Sequence, residues 1–257
     1  MQLTIKHPFL CLPVVSHPKD TRVLKLFDGE KLLLCVYFPF GEAAADNGTY
    51  SYEYLSPLPV SEWMGRTLTL SAEFPAGFED AVTQTDELPV SGEVHPAVHF
   101  TANAGWINDP NGLVYDNGTY HLYYQHNPFG VNWNNMSWGH ATSTDLLHWT
   151  RLPVAMLPDE EGTIFSGCGL TNEHRDEIQA AADSNLYRSL PKDALLFFYT
   201  AAGGSHDSAC SEGKDYTQHT AYSTDHGLTL QKLPGAVVPF LKTDNRDPVS
   251  YTHLRAH

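Results

Sequence analysis

Two short segments each carry an aspartate, a residue type that can act as a nucleophile or stabilise positive charge. Asp109 lies in segment 106–112, which reads WINDPNG, and Asp247 lies in segment 246–248, which reads RDP. A carboxylate can attack an electrophilic carbon, and a second carboxylate can stabilise the positive charge that develops there. By local composition alone, segment 106–112 is typical of a turn, because Asn, Pro and Gly favour turns. Whether segment 106–112 is a catalytic site or a turn therefore depends on the surrounding sequence.

Further motifs follow Asp109 along the chain. They are YYQHNP at 123–128, Trp133, WGHA at 138–141, DLLHW at 145–149 and FSG at 165–167. In this order and spacing, and together with the two aspartate segments, they resemble the fructosidases of glycoside hydrolase family 32, which include invertases, inulinases and levanases. The resemblance runs from about His95 to Pro248 and is weakest between Thr171 and Lys192.

The resemblance implies a fold, a reaction and a set of site residues. The implied fold is a five-bladed β-propeller with a central pocket, and the implied reaction is retaining hydrolysis of terminal β-D-fructosyl bonds in sucrose or fructans. Asp109 matches the nucleophile, and Asp247 matches the carboxylate that holds sugar hydroxyls and stabilises the transition state. The matching substrate-binding positions are Asn108, Gln125, Trp133, Phe165, Ser166 and Arg246.

These residue types also suit the reaction on chemical grounds. A retaining glycosidase needs two carboxyl groups only about 5 Å apart, one as nucleophile and one as general acid. The amides of Asn108 and Gln125 can donate and accept hydrogen bonds without adding charge, and Trp133 offers a flat apolar face to a sugar ring. We expect Arg246 to keep Asp247 ionised, because a neighbouring cation lowers a carboxyl pKa.

One part of the family pattern is missing. The general acid of this family is a glutamate that follows the Arg-Asp-Pro motif, but here only Val249 to His257 follow Pro248, and none of these residues is acidic. We therefore expect these 257 residues alone to have negligible activity. Segment 249–257 also departs from the usual continuation of the motif, so we interpret it as a tail that is not native.

Short β-type segments separated by Gly, Pro and Asn turns predict an all-β chain. In residues 1–90 the pattern predicts a small β-sandwich module, with turns at Asp28-Gly29 and Asn47-Gly48 and an irregular linker over 78–96. Its predicted strands are Phe9–Val15, Val23–Phe27, Lys31–Phe38, Tyr50–Leu55 and Thr67–Glu73.

Residues 91–257 predict a second domain of antiparallel hairpins, interpreted through the resemblance as part of the five-bladed propeller. Strand periodicity alone leaves a propeller and a barrel open. The predicted strands are Gly112–Tyr115, Tyr120–His126, Trp138–Ser143, Ala194–Thr200, His219–Ser223 and Leu228–Gln231, with one helix near Glu173–Leu190.

Composition excludes several classes of partner. The net charge of −15 disfavours nucleic acid and anionic membranes, and no apolar run is long enough to span a bilayer. The four cysteines, Cys11, Cys35, Cys168 and Cys210, are scattered, which favours free buried thiols. We predict no metal, no cofactor and a cytoplasmic more than a secreted location; the oligomeric state stays open.

Two other functions and several structural roles remain open at this point. A non-catalytic fructan-binding protein or a transfructosylase of the same fold would use the same motifs. Trp133 and Trp138 could equally fill a β interior, Ser166 could bind backbone in a turn, and Arg246 with Asp247 could form a surface ion pair.

Overall fold

The computed structural model describes residues 1–42, 49–89, 96, 98–174, 185–242 and 245–249. Its strands form four antiparallel sheets, two built from residues 2–85 and two from residues 106–232. The predicted all-β class, with a sandwich ahead of part of a propeller, is confirmed.

The first two sheets pack face to face as a small sandwich, called here the N-terminal module. One sheet has the order β1 (Gln2–Thr4), β6 (Thr67–Ser71), β3 (Asp20–Asp28), β4 (Lys31–Phe40), and the other has the order β5 (Tyr54–Pro59), β2 (Phe9–Val14), β7 (Thr83–Thr85). Alternating Leu, Val and Phe side chains fill the space between the sheets. Gly29 makes the β3–β4 turn with φ of 59°, as Asp28-Gly29 predicts.

The segment predicted as a linker is partly structured, so that prediction is wrong at its start. Phe78–Ala81 forms the short helix α1, and Thr83–Thr85 forms strand β7. Phe78 is fully buried and contacts Phe38, Phe40 and Tyr50. Local sequence does not signal this, because burial in a distant core overrides a weak local pattern.

The other two sheets are four-stranded blades with neighbouring strands in chain order, the pattern of propeller blades. The first blade has the order β8 (Trp106–Asp116), β9 (Thr119–Asn127), β10 (Ser137–Ser143), β11 (Thr150–Met156), and the second has β12 (Thr163–Thr171), β13 (Leu195–Ala202), β14 (Tyr216–Ser223), β15 (Gln231–Lys232). Strands β8 and β12 lie side by side.

Aromatic side chains fill the interface between the two blades. Tyr123 and Trp138 of the first blade contact Phe197 of the second, with ring centroids 4.9 and 6.4 Å apart. Gly112 lies against all three rings with φ of 52°, so a side chain there would collide with them. Trp138 is thus a core residue.

The remaining described helices are short. They are 3-10 turns at Ser61–Trp63 and Asn172–His174 and the helix α2 at Asn185–Ser189. The predicted helix near Glu173–Leu190 falls partly on 175–184, outside the described residues, as does the predicted turn Asn47-Gly48. In the described part of the chain, no helix has the length and apolarity to cross a membrane.

A disulfide joins the module to the second blade. Cys35 on β4 bonds to Cys210 in the β13–β14 loop, with Cα atoms 6.0 Å apart, whereas Cys11 and Cys168 are free. The expectation of four free thiols is therefore wrong for two of them. The cysteines are 175 residues apart in sequence, so their spacing carried no sign that the fold brings them together.

Candidate active site

Asp109 lies in a β-bulge on strand β8. Ile107 pairs with His126 and Pro110 with Tyr124, so β8 has one residue more than β9 across this interval. A bulge turns side chains away from the regular alternation and is common beside active sites. Asp109 is exposed, and its segment belongs to a strand instead of an isolated turn.

A second bulge on the neighbouring blade brings Ser166 to Asp109. Ile164 pairs with Ala201 and Gly167 with Tyr199, which leaves Phe165 and Ser166 in the extra interval of β12. The Ser166 hydroxyl donates a hydrogen bond of 2.9 Å to Asp109 Oδ2. Ser166 therefore contacts a carboxylate of the site, and two bulged inner strands converge on one charged group.

Asn111 reinforces this junction from inside. Its side-chain Oδ1 accepts a hydrogen bond of 3.2 Å from the Gly167 backbone N–H, which ties β8 to the bulge of β12. A Cβ at position 167 would overlap the Phe198 carbonyl, so glycine is required at this close approach. The relative position of the two bulges is thus fixed by buried contacts.

Asp247 is held at the site by side chains of β13 and β14. Its backbone N–H donates to Thr200 Oγ1 at 2.9 Å, and Thr200 in turn donates to Gln218 Oε1 at 2.8 Å. Gln218 also donates to the Asn245 carbonyl at 2.6 Å. Asp247 has φ of 61°, a left-handed conformation that aspartate tolerates better than most residues.

Three effects act on the pKa of Asp247. Partial burial raises its pKa; Arg246 lowers the pKa, and the negative charge of Asp109 raises it again, so that the net direction is upward. Arg246 lowers the pKa of Asp247, as predicted, but burial and the charge of Asp109 outweigh this effect. The reason is geometric, because the Arg246 Nε lies 3.7 Å from Asp247 Oδ2 and both side chains are about half exposed. Asp109 and Asp247 are close enough to interact.

Aromatic rings form a wall that includes Phe165, the residue before Ser166. The Trp133 ring lies 5.9 Å from Phe165 and 5.0 Å from His206, and Phe165 lies 5.9 Å from Tyr216. Sequence reasoning missed His206 and Tyr216, because the wall is assembled from separate loops and no local motif marks the two residues. The wall is apolar at Phe165 and polar at its His206 end.

The two predicted amides differ in their surroundings. Asn108 is partly exposed, and its Oδ1 accepts a hydrogen bond of 2.8 Å from the Trp106 indole N–H. Gln125 is only 2% exposed, and its Nε2 donates to the Ile164 carbonyl at 2.8 Å. Asn108 thus lies at the surface of the site, whereas Gln125 supports β12 from below.

Buried histidines lie behind the site. Burial lowers the pKa of His126 to about 4 and that of His140 to about 3, so both rings are neutral near pH 7. His126 Nδ1 is 2.8 Å from the Trp106 carbonyl, and His140 Nε2 is 3.1 Å from His121 Nδ1. Among the described residues, no cluster of His, Cys, Asp and Glu is arranged to hold a metal ion.

Comparison with known proteins gives consistent matches. The family described as "Glycosyl hydrolases family 32 N-terminal domain" matches residues 99–255. The levanase of Bacillus subtilis (strain 168) is 39% identical over 184 residues, which cover 71% of this chain and 24% of that protein. The fructan beta-fructosidase of Streptococcus mutans serotype c is 36% identical over 194 residues, covering 74% of this chain and 12% of that protein.

One solved structure is similar to part of the chain. The exo-inulinase from Aspergillus awamori is 34% identical, with a TM-score of 0.44, and the match covers 58% of this chain and 30% of that one. The chain thus spans less than a third of the length of these relatives.

Proposed function

The chain belongs to glycoside hydrolase family 32, and from this premise we propose that the whole protein is a retaining β-fructosidase. It cleaves terminal β-D-fructosyl bonds of sucrose or fructans. The observation that carries the proposal is the hydrogen bond from Ser166 to Asp109 across two bulged strands, with Asp247 close enough for its pKa to respond to Asp109. Levanase and fructan β-fructosidase, by their names, act on such substrates.

Asp109 acts as the nucleophile in this proposal. Its free carboxylate oxygen bonds to the anomeric carbon while the glycosidic bond breaks and the leaving oxygen takes a proton from a general acid. Water then attacks the same carbon, gives a proton to the conjugate base of that acid, and releases Asp109. Ser166 holds Asp109 Oδ2 at 2.9 Å and so orients the other oxygen toward the sugar.

Asp247 contributes electrostatic stabilisation. Two neighbouring carboxylates repel each other, and the positive charge that develops on the anomeric carbon in the transition state is attracted to both. Because this attraction grows as the charge develops, it favours the transition state over the bound substrate. Arg246 and the acceptor oxygens of Asp247 bind sugar hydroxyls.

The remaining residues bind or frame the terminal fructosyl unit. Asn108 and Ser166 offer hydrogen bonds, and Trp133 with Phe165 offers apolar surface that excludes water. Gln125 acts indirectly. Its hydrogen bond to the Ile164 carbonyl fixes the strand that carries Phe165 and Ser166.

The test is release of fructose from sucrose, inulin and levan by the protein expressed through the end of its reading frame. Asp109→Asn should lower the rate roughly 10⁴-fold or more, because it removes the nucleophile. The matched control is Asp116→Asn at the far end of the same strand, where the carboxylate contacts His226 instead. Sugar binding without fructose release would refute the enzyme, and oligosaccharide products would identify a transferase.

We also propose that the protein functions in an oxidising compartment, although the sequence favoured the cytoplasm. The Cys35–Cys210 disulfide supports this, since structural disulfides are rare in reducing compartments. The protein is taken from its native cells and denatured in the presence of an alkylating reagent, and mass spectrometry should then find label on Cys11 and Cys168 only. Labelling of all four cysteines would reject an oxidising compartment.

A further inference from the structure

Strand β4 of the N-terminal module lies at the edge of its sheet, where its backbone groups need partners. Asn135, in the loop between β9 and β10, supplies them. Its Oδ1 accepts from the Tyr37 N–H and its Nδ2 donates to the Tyr37 carbonyl, each at 2.8 Å. Asn135 is 1% exposed and has φ of 47°. Its side chain makes the two hydrogen bonds to the Tyr37 backbone that a neighbouring strand would make.

The same strand also holds the loop between β13 and β14. Cys35, two residues before Tyr37, carries the disulfide to Cys210. Phe129, from the loop of Asn135, is buried in the core of the module with its ring 5.7 Å from Phe38. Strand β4 therefore contacts both blade loops through a hydrogen-bonded amide, a covalent bond and a buried ring.

These two loops carry the Trp133–His206 end of the aromatic wall. Trp133 lies between Phe129 and Asn135 in sequence, and His206 lies four residues before Cys210. Asp207 joins the loops directly, because its carboxylate accepts the Met136 N–H at 3.0 Å and the Thr163 hydroxyl at 3.2 Å. The Trp133–His206 ring distance of 5.0 Å thus depends on anchors outside the site.

We propose that strand β4 positions the Trp133–His206 pair, which makes Asn135 and the Cys35–Cys210 disulfide positioning residues for the sugar site. The claim that a sugar binds against this pair rests on the proposed function. The claim that β4 positions the pair does not. Site residues on loops need fixed supports, because binding geometry tolerates errors of only about 0.5 Å. The module supplies such a support from a rigid sheet.

The test uses ¹⁹F NMR of the 257-residue chain labelled with 5-fluorotryptophan. Trp133→Phe identifies the Trp133 signal. Asn135→Asp keeps an acceptor for the Tyr37 N–H but loses the donor to the Tyr37 carbonyl. We expect the Trp133 signal to shift and broaden in this variant, and also in the unmodified chain when a dithiol reduces the disulfide. The Trp138 and Trp149 signals should stay unchanged.

Asn172→Asp is the matched control, because Asn172 is also a buried asparagine whose Nδ2 donates to backbone carbonyls, those of Tyr187 and Pro191. It should leave the Trp133 signal unchanged. If Trp133 is unaffected by both Asn135→Asp and reduction, or if all tryptophan signals move together, the positioning role is wrong.

Titration with fructose separates this inference from the proposed function. In the unmodified chain fructose should shift the Trp133 signal, and after reduction the affinity should fall roughly tenfold, because small misplacements of binding groups are costly. A chain that shows no fructose shift, yet a Trp133 signal that responds to Asn135→Asp, would count against the sugar site and support the positioning role.

Discussion

The N-terminal module and the two blades stabilise their interiors by different means. In the described part of the module, the buried side chains are almost all aliphatic or aromatic, and Ser56 is the polar exception. The blades bury many asparagine, histidine, serine and threonine side chains, most of them hydrogen-bonded. Burial of apolar surface suffices for a scaffold, whereas a polar site needs a network of partners behind it.

A stack of buried histidine rings makes the stability of the blades depend on pH. The rings of His121 and His140 lie 5.3 Å apart and that of Tyr123 lies 4.2 Å from His140, all within one buried layer. Such rings must stay neutral to remain buried. The blades should therefore respond to pH and to loss of single polar groups, whereas the module should respond mainly to loss of apolar volume.

Phe129 tests where the two interiors meet. Phe129→Ala removes a ring that belongs to a blade loop but packs in the core of the module. We expect the free energy of unfolding to fall by about 3–5 kcal/mol, the usual range for a buried phenylalanine. Urea unfolding measures it, with Leu147→Ala, an exposed site, as the control. If Phe129→Ala lowers the free energy of unfolding no more than Leu147→Ala does, the ring is not part of the core.

Acidification should weaken the blades selectively. His126 and His140 have pKa values lowered to about 4 and about 3, so below pH 6.5 the unfolded chain binds protons that the folded chain does not. From pH 7 to pH 5.5 each histidine should cost about 1.3 kcal/mol of stability, with the loss growing as pH falls.

Native-state hydrogen exchange at the two pH values measures this effect, after correction for intrinsic exchange rates. Amides of β10 should lose protection while those of β3 keep it. Equal losses in both strands would contradict the division between the two regions.

Asp207 tests the polar network between the loops. Asp207→Asn replaces a buried carboxylate that accepts from Met136, Thr163 and Ser205. We expect the free energy of unfolding to fall by about 2 kcal/mol. The variant weakens the hydrogen bonds that the charged carboxylate accepts, and its amide NH2 group faces other donors. The control is Asp215→Asn on the exposed part of the same loop. If the two variants have equal free energies of unfolding in urea, Asp207 does not stabilise the contact between the loops.

Tyr54 provides the smallest expected effect. Its hydroxyl donates to the Pro128 carbonyl at 3.2 Å and links the module to the first blade. Tyr54→Phe should cost about 0.5–1 kcal/mol, the usual net value of one neutral hydrogen bond. Tyr52→Phe, an exposed change, should have no effect in the same thermal unfolding assay. A loss of several kcal/mol would mean that single polar contacts dominate this interface.

Local sequence predicted the features that depend on local chemistry. The Asp28-Gly29 turn predicted the β3–β4 hairpin, because such a turn needs positive φ, and Gly29 has φ of 59°. The motif resemblance likewise indicated Asp109 and Ser166, which the fold brings into contact.

Features that depend on tertiary contacts were not predictable. The two bulges arise from pairing between strands, and the position of Asp247 depends on Thr200 and Gln218 on other strands. The net pKa shift of Asp247 reflects burial, which local charge does not reveal. Phe78 and the disulfide were misassigned for the same reason.

The Cys35–Cys210 bond imposes an order on biosynthesis. Cys35 leaves the ribosome 175 residues ahead of its partner, a delay of roughly 10 to 35 s at usual rates of translation. Cys11 is already made when Cys35 appears, and Cys168 is made during the interval, so both could pair with Cys35. Cys11 is fully buried in the folded chain, so folding around β2 before Cys210 is made removes one competitor.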